Sequence, residues 1–148
     1  MRTFVLETQQ TFRASVGELF PFFAEARNLE TITPPWLRFE VLTPAPISMK
    51  VGTLIDYRLR WRFLPIRWRT EIKAWDPPRR FIDEQIRGPY RLWRHEHVFV
   101  ENGSTTTMTD RVEYAVPGGA IVQLLFVGRD VDRIFAYRQK VLEERFGS

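Results

Sequence analysis

The two histidines of this chain, His95 and His97, stand two residues apart within RLWRHEHVFV, residues 91–100. In an extended strand, residues i and i+2 share a face. Trp93, His95, His97 and Phe99 then line one side, with Leu92, Arg94, Glu96 and Val98 on the other. Two imidazoles between two aromatic rings suit a metal site, the polar stripe of a ligand pocket, or a satisfied network that only knits strands together. An imidazole held by a carboxylate is partly protonated near neutral pH. It can bind a carboxylate, phenol or enolate, or move a proton.

The register of the neighbouring strands decides which carboxylates reach these histidines. A two-residue turn at Asn102-Gly103 pairs His97 with Met108 and His95 with Asp110, on the same face as Val112 and Tyr114. A three-residue loop at Gly88-Pro89-Tyr90 sets Asp83 near His95 and Phe81 near His97, with Gln85 on the same side. His95 is then expected between two carboxylates. A hairpin closing at Leu64-Pro65 places Trp61 opposite Trp68, Leu59 opposite Thr70 and Tyr57 opposite Ile72, all facing inward. Its outer face pairs Arg62 with Arg67 and Arg60 with Arg69, while Glu71 opposes Arg58.

His95-x-His97 followed by Glu101 is similar to the first cupin metal motif. The chain has no third histidine to complete such a set, and the glycine that ends the motif is missing. Neither a metal nor any other cofactor is expected. Like charges opposed across a ladder are unfavourable, so Arg58, Arg60, Arg62, Arg67 and Arg69 have two readings. One is a contact for an anionic partner, whether RNA, phospholipid headgroups or an acidic protein. The other is a solvated sheet face whose aliphatic stems cover the backbone. No aromatic signature of RNA-binding sheets accompanies them.

The elements that must position these groups follow from periodicity. The 148 residues, 44% hydrophobic and 27% charged, suit a single domain over residues 1–148 with one core. Five Trp and twelve Phe fill that core with large rigid rings. The net charge is +4 and cysteine is absent, which excludes disulfides and thiolate chemistry. There is no transmembrane run and no signal-peptide core, so a cytoplasmic location is expected. Residues 2–13 read as a strand, and Ser15-x-x-Glu18 is a capping box that opens a helix. Pro21 should break or kink that helix, and a second short turn spans residues 28–33. Period-two strands are predicted over 36–43, 53–63, 66–75, 80–87, 91–101 and 105–116, an antiparallel meander. After Pro117-Gly118-Gly119 the period becomes helical, with an apolar stripe from Ile121 to Leu142 that Gly128 interrupts. No nucleophile elbow, phosphate loop or dinucleotide fingerprint is present, which argues against hydride and phosphoryl transfer.

NLETITPPWLRFEVL (28–42), DEQIRGPYRLWRHEHVF (83–99) and MTDRVEYAVPGG (108–119) resemble the START-like, or Bet v 1-like, SRPBCC superfamily. The similarity is to its bacterial polyketide cyclase/dehydrase and lipid-transport-like branch and runs over essentially the whole chain. It implies an α+β helix-grip fold: a curved antiparallel sheet of about seven strands wrapped on a long C-terminal helix, with two short helices after the first strand. It implies a cavity between sheet and helix for a small, largely apolar molecule of aromatic, polyketide-like or acyl character. Trp93, His95, His97, Phe99, Asp83, Gln85, Asp110 and Tyr114 become pocket-region positions. Tyr57, Leu59, Trp61, Trp68, Thr70, Leu124 and Phe135 complete the expected lining. Two alternatives stay open. One is a cyclase or dehydratase using His95 with Asp110 or Asp83 as its partner. The other is an interaction module using the basic outer face.

Overall fold

The computed structural model describes residues 2–147, apart from the side chains at 120, 121, 124 and 125. The chain runs β1 (Phe4–Phe12), α1 (Val16–Ala24), α2 (Asn28–Ile32), a 3-10 turn at Pro35–Leu37, β2 (Glu40–Val41), β3 (Leu54–Trp61) and β4 (Leu64–Asp76). There follow β5 (Arg80–Arg87), β6 (Leu92–Asn102), β7 (Thr105–Ala115), α3 (Gly119–Val122), a π-turn at Gln123–Val127 and α4 (Gly128–Phe146). The strands form one antiparallel sheet in the order β1-β7-β6-β5-β4-β3-β2. Register shifts in β4 at Arg69/Thr70 and Ile72/Ala74 bend the sheet. Its concave face receives α4, the helix-grip arrangement. Among the described residues, no helix is long and apolar enough to cross a membrane.

Local chemistry explains the helices. Ser15 caps α1 by accepting from the Glu18 amide at 3.2 Å, as the capping box predicts. Pro21 does not break α1. Leu19, Phe20, Phe22 and Phe23 are all buried and hold the segment in place. The stripe on α4 buries Val131, Phe135, Arg138 and Leu142 at spacings of four, three and four. A Cβ at Gly128 would come within 3.0 Å of the Gln123 side chain, so this glycine marks close packing at the end of the π-turn.

Three sequence expectations need correction. The strand expected over 36–43 shrinks to Glu40–Val41. Pro35 starts a 3-10 turn instead, with Arg38 left-handed at φ 47°. The β6–β7 hairpin turns on Gly103-Ser104, so His97 faces Asp110, His95 faces Val112 and Phe99 faces Met108. Gly103 takes φ 64° at the first central position, where a II′-type turn accepts glycine, and Asn102 stays in the ladder.

The β3–β4 hairpin turns on Arg62-Phe63, not Leu64-Pro65. Trp61 therefore faces Leu64, Leu59 faces Ile66, Tyr57 faces Trp68 and Ile55 faces Thr70. A type I′ turn needs positive φ at both central residues, which proline cannot adopt. Arg62 and Phe63 take it instead, at φ 49° and 71°. On the outer face Arg58 opposes Arg67, Asp56 opposes Arg69 and Glu71 opposes Leu54. The expected Arg62–Arg67 and Arg60–Arg69 pairs do not form. Arg58 bonds Glu40 at 2.6 Å and Arg69 bonds Asp56 at 2.8 Å, so much of the basic face is internally compensated. By contrast, the β5–β6 loop follows the sequence reading, with Asp83 opposite His95 and Phe81 opposite His97.

A left-handed phenylalanine is strained. Phe63→Gly should therefore raise unfolding stability by about 0.5–1 kcal/mol. Urea denaturation of the two proteins measures it, and an unchanged or lowered midpoint would contradict the strain.

Candidate functional site

Between the concave sheet and α4 lies a cavity of about 410 Å³. Tyr57, Leu59, Trp61, Trp68 and Trp93 contribute its aromatic and aliphatic wall. Thr70, Asp83, His95, His97 and Phe135 also line it, as the sequence reading expected. The alternation of β3, β4, β5 and β6 turns these side chains inward, and the sheet's curvature brings them together. Trp68 and Trp93 meet edge to face with centroids 5.5 Å apart. Tyr90 closes on Trp93 at 4.8 Å.

Other expected residues lie elsewhere. Gln85 grips the β5–β6 loop, donating to the Tyr90 carbonyl and accepting from its amide. Phe99 belongs to the core beneath α1 with Phe20 and Phe23. Tyr114 is buried and accepts from Gln123. Asp110 does not line the cavity but sits behind the histidines. Leu124 falls outside the described side chains.

The polar groups form one connected cluster. His95 Nε2 lies 2.8 Å from Asp110 Oδ1, and His97 Nε2 lies 2.7 Å from Asp83 Oδ2. His97 Nδ1 is 3.2 Å from Asp110 Oδ1 but out of line for a hydrogen bond. The histidine between two carboxylates is therefore His97, not His95, because the β6–β7 register is two residues from the one expected. The imidazoles stack at 3.7 Å, and Phe81 covers the ring of His97 at 4.0 Å. From α4, Arg138 donates to Asp110 through Nε at 3.4 Å and Nη2 at 3.2 Å.

Arg138, only 5% exposed, was missed by the sequence reading. Its signal was available: it stands three residues after Phe135 and four before Leu142, a charge on an otherwise apolar seam. Asp130 was missed too. It lines the cavity and accepts from Trp61 Nε1 at 2.7 Å.

Burial disfavours every charge in this cluster, and partners decide which survive. Burial would raise Asp110, but Arg138 and the two imidazoles hold it well below the usual carboxylate range. Asp83 is lowered too: burial opposes ionisation, and the bond from His97 outweighs it. Burial and the neighbouring charge of His97 lower His95 despite its bond to Asp110. His97 is raised, because Asp110 and Asp83 together overcome its burial. The partners thus favour ionised Asp83 and Asp110, and they favour a proton on His97 over one on His95. Burial and Asp83 likewise push the Tyr57 phenol up.

Asp83, His95 and His97 offer ligand atoms all within 4.8 Å of one another, a spacing open to a metal ion. Here both Nε2 atoms are engaged by carboxylates. The guanidinium beside Asp110 opposes a further cation. The arrangement works as a hydrogen-bond network with acceptors left toward the cavity.

No family profile matches the sequence, and no curated protein matches it. Solved structures match over nearly the full chain. A Chromobacterium violaceum protein aligns with TM-score 0.76 at 10% identity, covering 97% of each chain. Zhui aromatase/cyclase from a Streptomyces species gives 0.74 at 13% identity, covering 97% of this chain and 93% of that one. A norcoclaurine synthase point mutant from Thalictrum flavum, in complex with a transition-state analogue, gives 0.65 at 18% identity over 97% of each chain. The shared property is the fold, a curved antiparallel sheet gripping a long C-terminal helix.

The two imidazoles should titrate on opposite sides of their ordinary value of 6.5, His97 above and His95 below. The stability that His97 contributes is present below 6.5 and lost as pH rises through its raised value. That of His95, Asp83 and Asp110, all lowered, is lost as pH falls. Imidazole C–H resonances followed against pH, assigned with His97→Gln, check this. Coincident curves at the ordinary value would refute it.

Proposed function

We propose that this protein binds a small, largely apolar molecule of aromatic, polyketide-like or acyl character in the cavity between sheet and C-terminal helix. The observation that carries the reading is the cavity itself, about 410 Å³, walled by rings with its polar groups gathered in one patch. Pockets built this way take up apolar bodies and orient them by a few polar contacts. Tyr57, Leu59, Trp61, Trp68 and Trp93 would hold the apolar body, while Asp83, His95 and His97 would meet its polar end.

A cyclase or dehydratase acting on such a molecule is the enzymatic version of the same site. Two solved structures of this fold are named for enzymes, an aromatase/cyclase and a synthase. The contact of His95 with Asp110 at 2.8 Å would orient a base. Burial weakens His95 as a base, whereas binding asks no proton transfer of it, so binding leads.

Filling the cavity tests the reading. Ile134→Trp, on the helix side of the lining, should weaken binding of the neutral fluorophore N-phenylnaphthylamine by about tenfold or more. It should also remove any adduct of the freshly purified protein seen by native mass spectrometry. Undiminished probe binding by a folded Ile134→Trp would refute the cavity as the binding site.

The anionic-partner reading narrows to the β3–β4 tip. Phe63 is 92% exposed, and Leu64 beside it is also exposed. Among the described residues, Arg60 and Arg67 make no ion pair, while Arg62 reaches Asp130 at 3.9 Å. An exposed ring and an exposed leucine flanked by arginines suit an anionic phospholipid surface. The protein should co-sediment with phosphatidylglycerol-containing vesicles and not with pure phosphatidylcholine, and Phe63→Ser should reduce the bound fraction several-fold. Equal binding to both vesicles, or none, would end this reading.

A further inference from the structure

The polar patch of the cavity is uneven in what it leaves open. Asp83 spends Oδ2 on His97, and Oδ1 has no protein partner among the described residues. His95 spends Nε2 on Asp110, and its Nδ1 likewise has no partner among them. With its proton on Nε2, facing a carboxylate, Nδ1 of neutral His95 presents a lone pair. Both residues line the cavity. Two acceptors thus face the same space.

Donors are scarcer. Trp68 Nε1 donates to Thr70 Oγ1 at 3.0 Å, which leaves the Thr70 hydroxyl its own proton. Trp61 donates to Asp130. Arg138 keeps Nη1 outside its bonds to Asp110, and its guanidinium is held against the rings of Phe23 and Phe135 at 5.3 and 5.8 Å. Two carboxylates, Asp83 and Asp110, already share this patch with the guanidinium of Arg138. A ligand carboxylate would therefore bring a further negative charge into a site with little water to screen it.

Taking the cavity as the binding site, we infer that it selects ligands whose polar end is an uncharged hydroxyl donating to Asp83, and that it rejects the matching carboxylates. A hydroxyl can give its proton to Asp83 and accept from Arg138 at once. A carboxylate is acceptor only, and it meets Asp83 with like charge. An ether is neutral but cannot donate, so the Asp83 oxygen would be desolvated without return.

Three probes of one shape separate these effects: β-naphthol, its methyl ether and β-naphthoate. Each displaces N-phenylnaphthylamine from tag-free protein at about pH 8, where a carboxylic acid is ionised and the naphthol is not. β-Naphthol should displace the fluorophore at about tenfold lower concentration than either competitor, the scale of one buried, unreturned polar contact. In Asp83→Asn the advantage over naphthoate should shrink to about threefold or less, because the opposing charge is gone. Equal displacement by the naphthol and its ether in the wild-type protein would overturn the inference, whether or not the variant folds. So would a naphthoate that competes as well as the naphthol. A fluorophore that does not bind at all would instead sink the cavity reading on which the inference rests.

Discussion

One buried carboxylate ties the two layers of this protein together. Asp110 on β7 meets His95 from β6 and Arg138 from α4, and its Oδ1 lies 3.2 Å from His97 Nδ1. An unpaired carboxylate at 3% exposure would be costly to bury. Arg138 supplies the charge that makes it tolerable, and it comes from the helix rather than the sheet. The helix is therefore fixed in register on the sheet by a directional contact as well as by the non-directional burial of Val131, Phe135 and Leu142.

That contact also organises the cavity. With Asp110 satisfied from behind, the histidines stand in front of it and His97 passes the interaction on to Asp83. The result is a graded cluster, most enclosed at Asp110 and more open at Asp83, whose side chain keeps 21% of its exposure. Around it the rings of Trp68, Tyr90 and Trp93 prop one another edge to face and tilted, and such contacts hold space open better than flexible side chains would. The cavity survives because its walls are braced and its polar groups are already paired.

Much of this was legible in the sequence. The two-residue spacing of His95 and His97 placed both on one face, and the face proved to be the inner one. The three-residue loop after β5 put Asp83 opposite His95, as observed. Turn chemistry at the other hairpins was less legible. Asn-Gly and Leu-Pro each mark a turn, but the residues that take positive φ depend on where the ladder ends. Gly103 led its turn rather than closing it, and Pro65 forced Arg62 and Phe63 into the bend. Each slip was an even number of residues, so every face was right and the partners were wrong.

The sequence by itself determined the element order, the inward faces of the strands and the presence of a helix with one apolar stripe. Periodicity encodes these locally, because a side chain's face depends only on its position along its own element. Only the tertiary structure decided that His97 rather than His95 lies between the carboxylates, that Glu40 and Asp56 neutralise two of the outer arginines, and that Arg138 completes the site. Those facts depend on which residues meet across elements distant in the chain. Such meetings are set by turn geometry and helix docking, which no local period records.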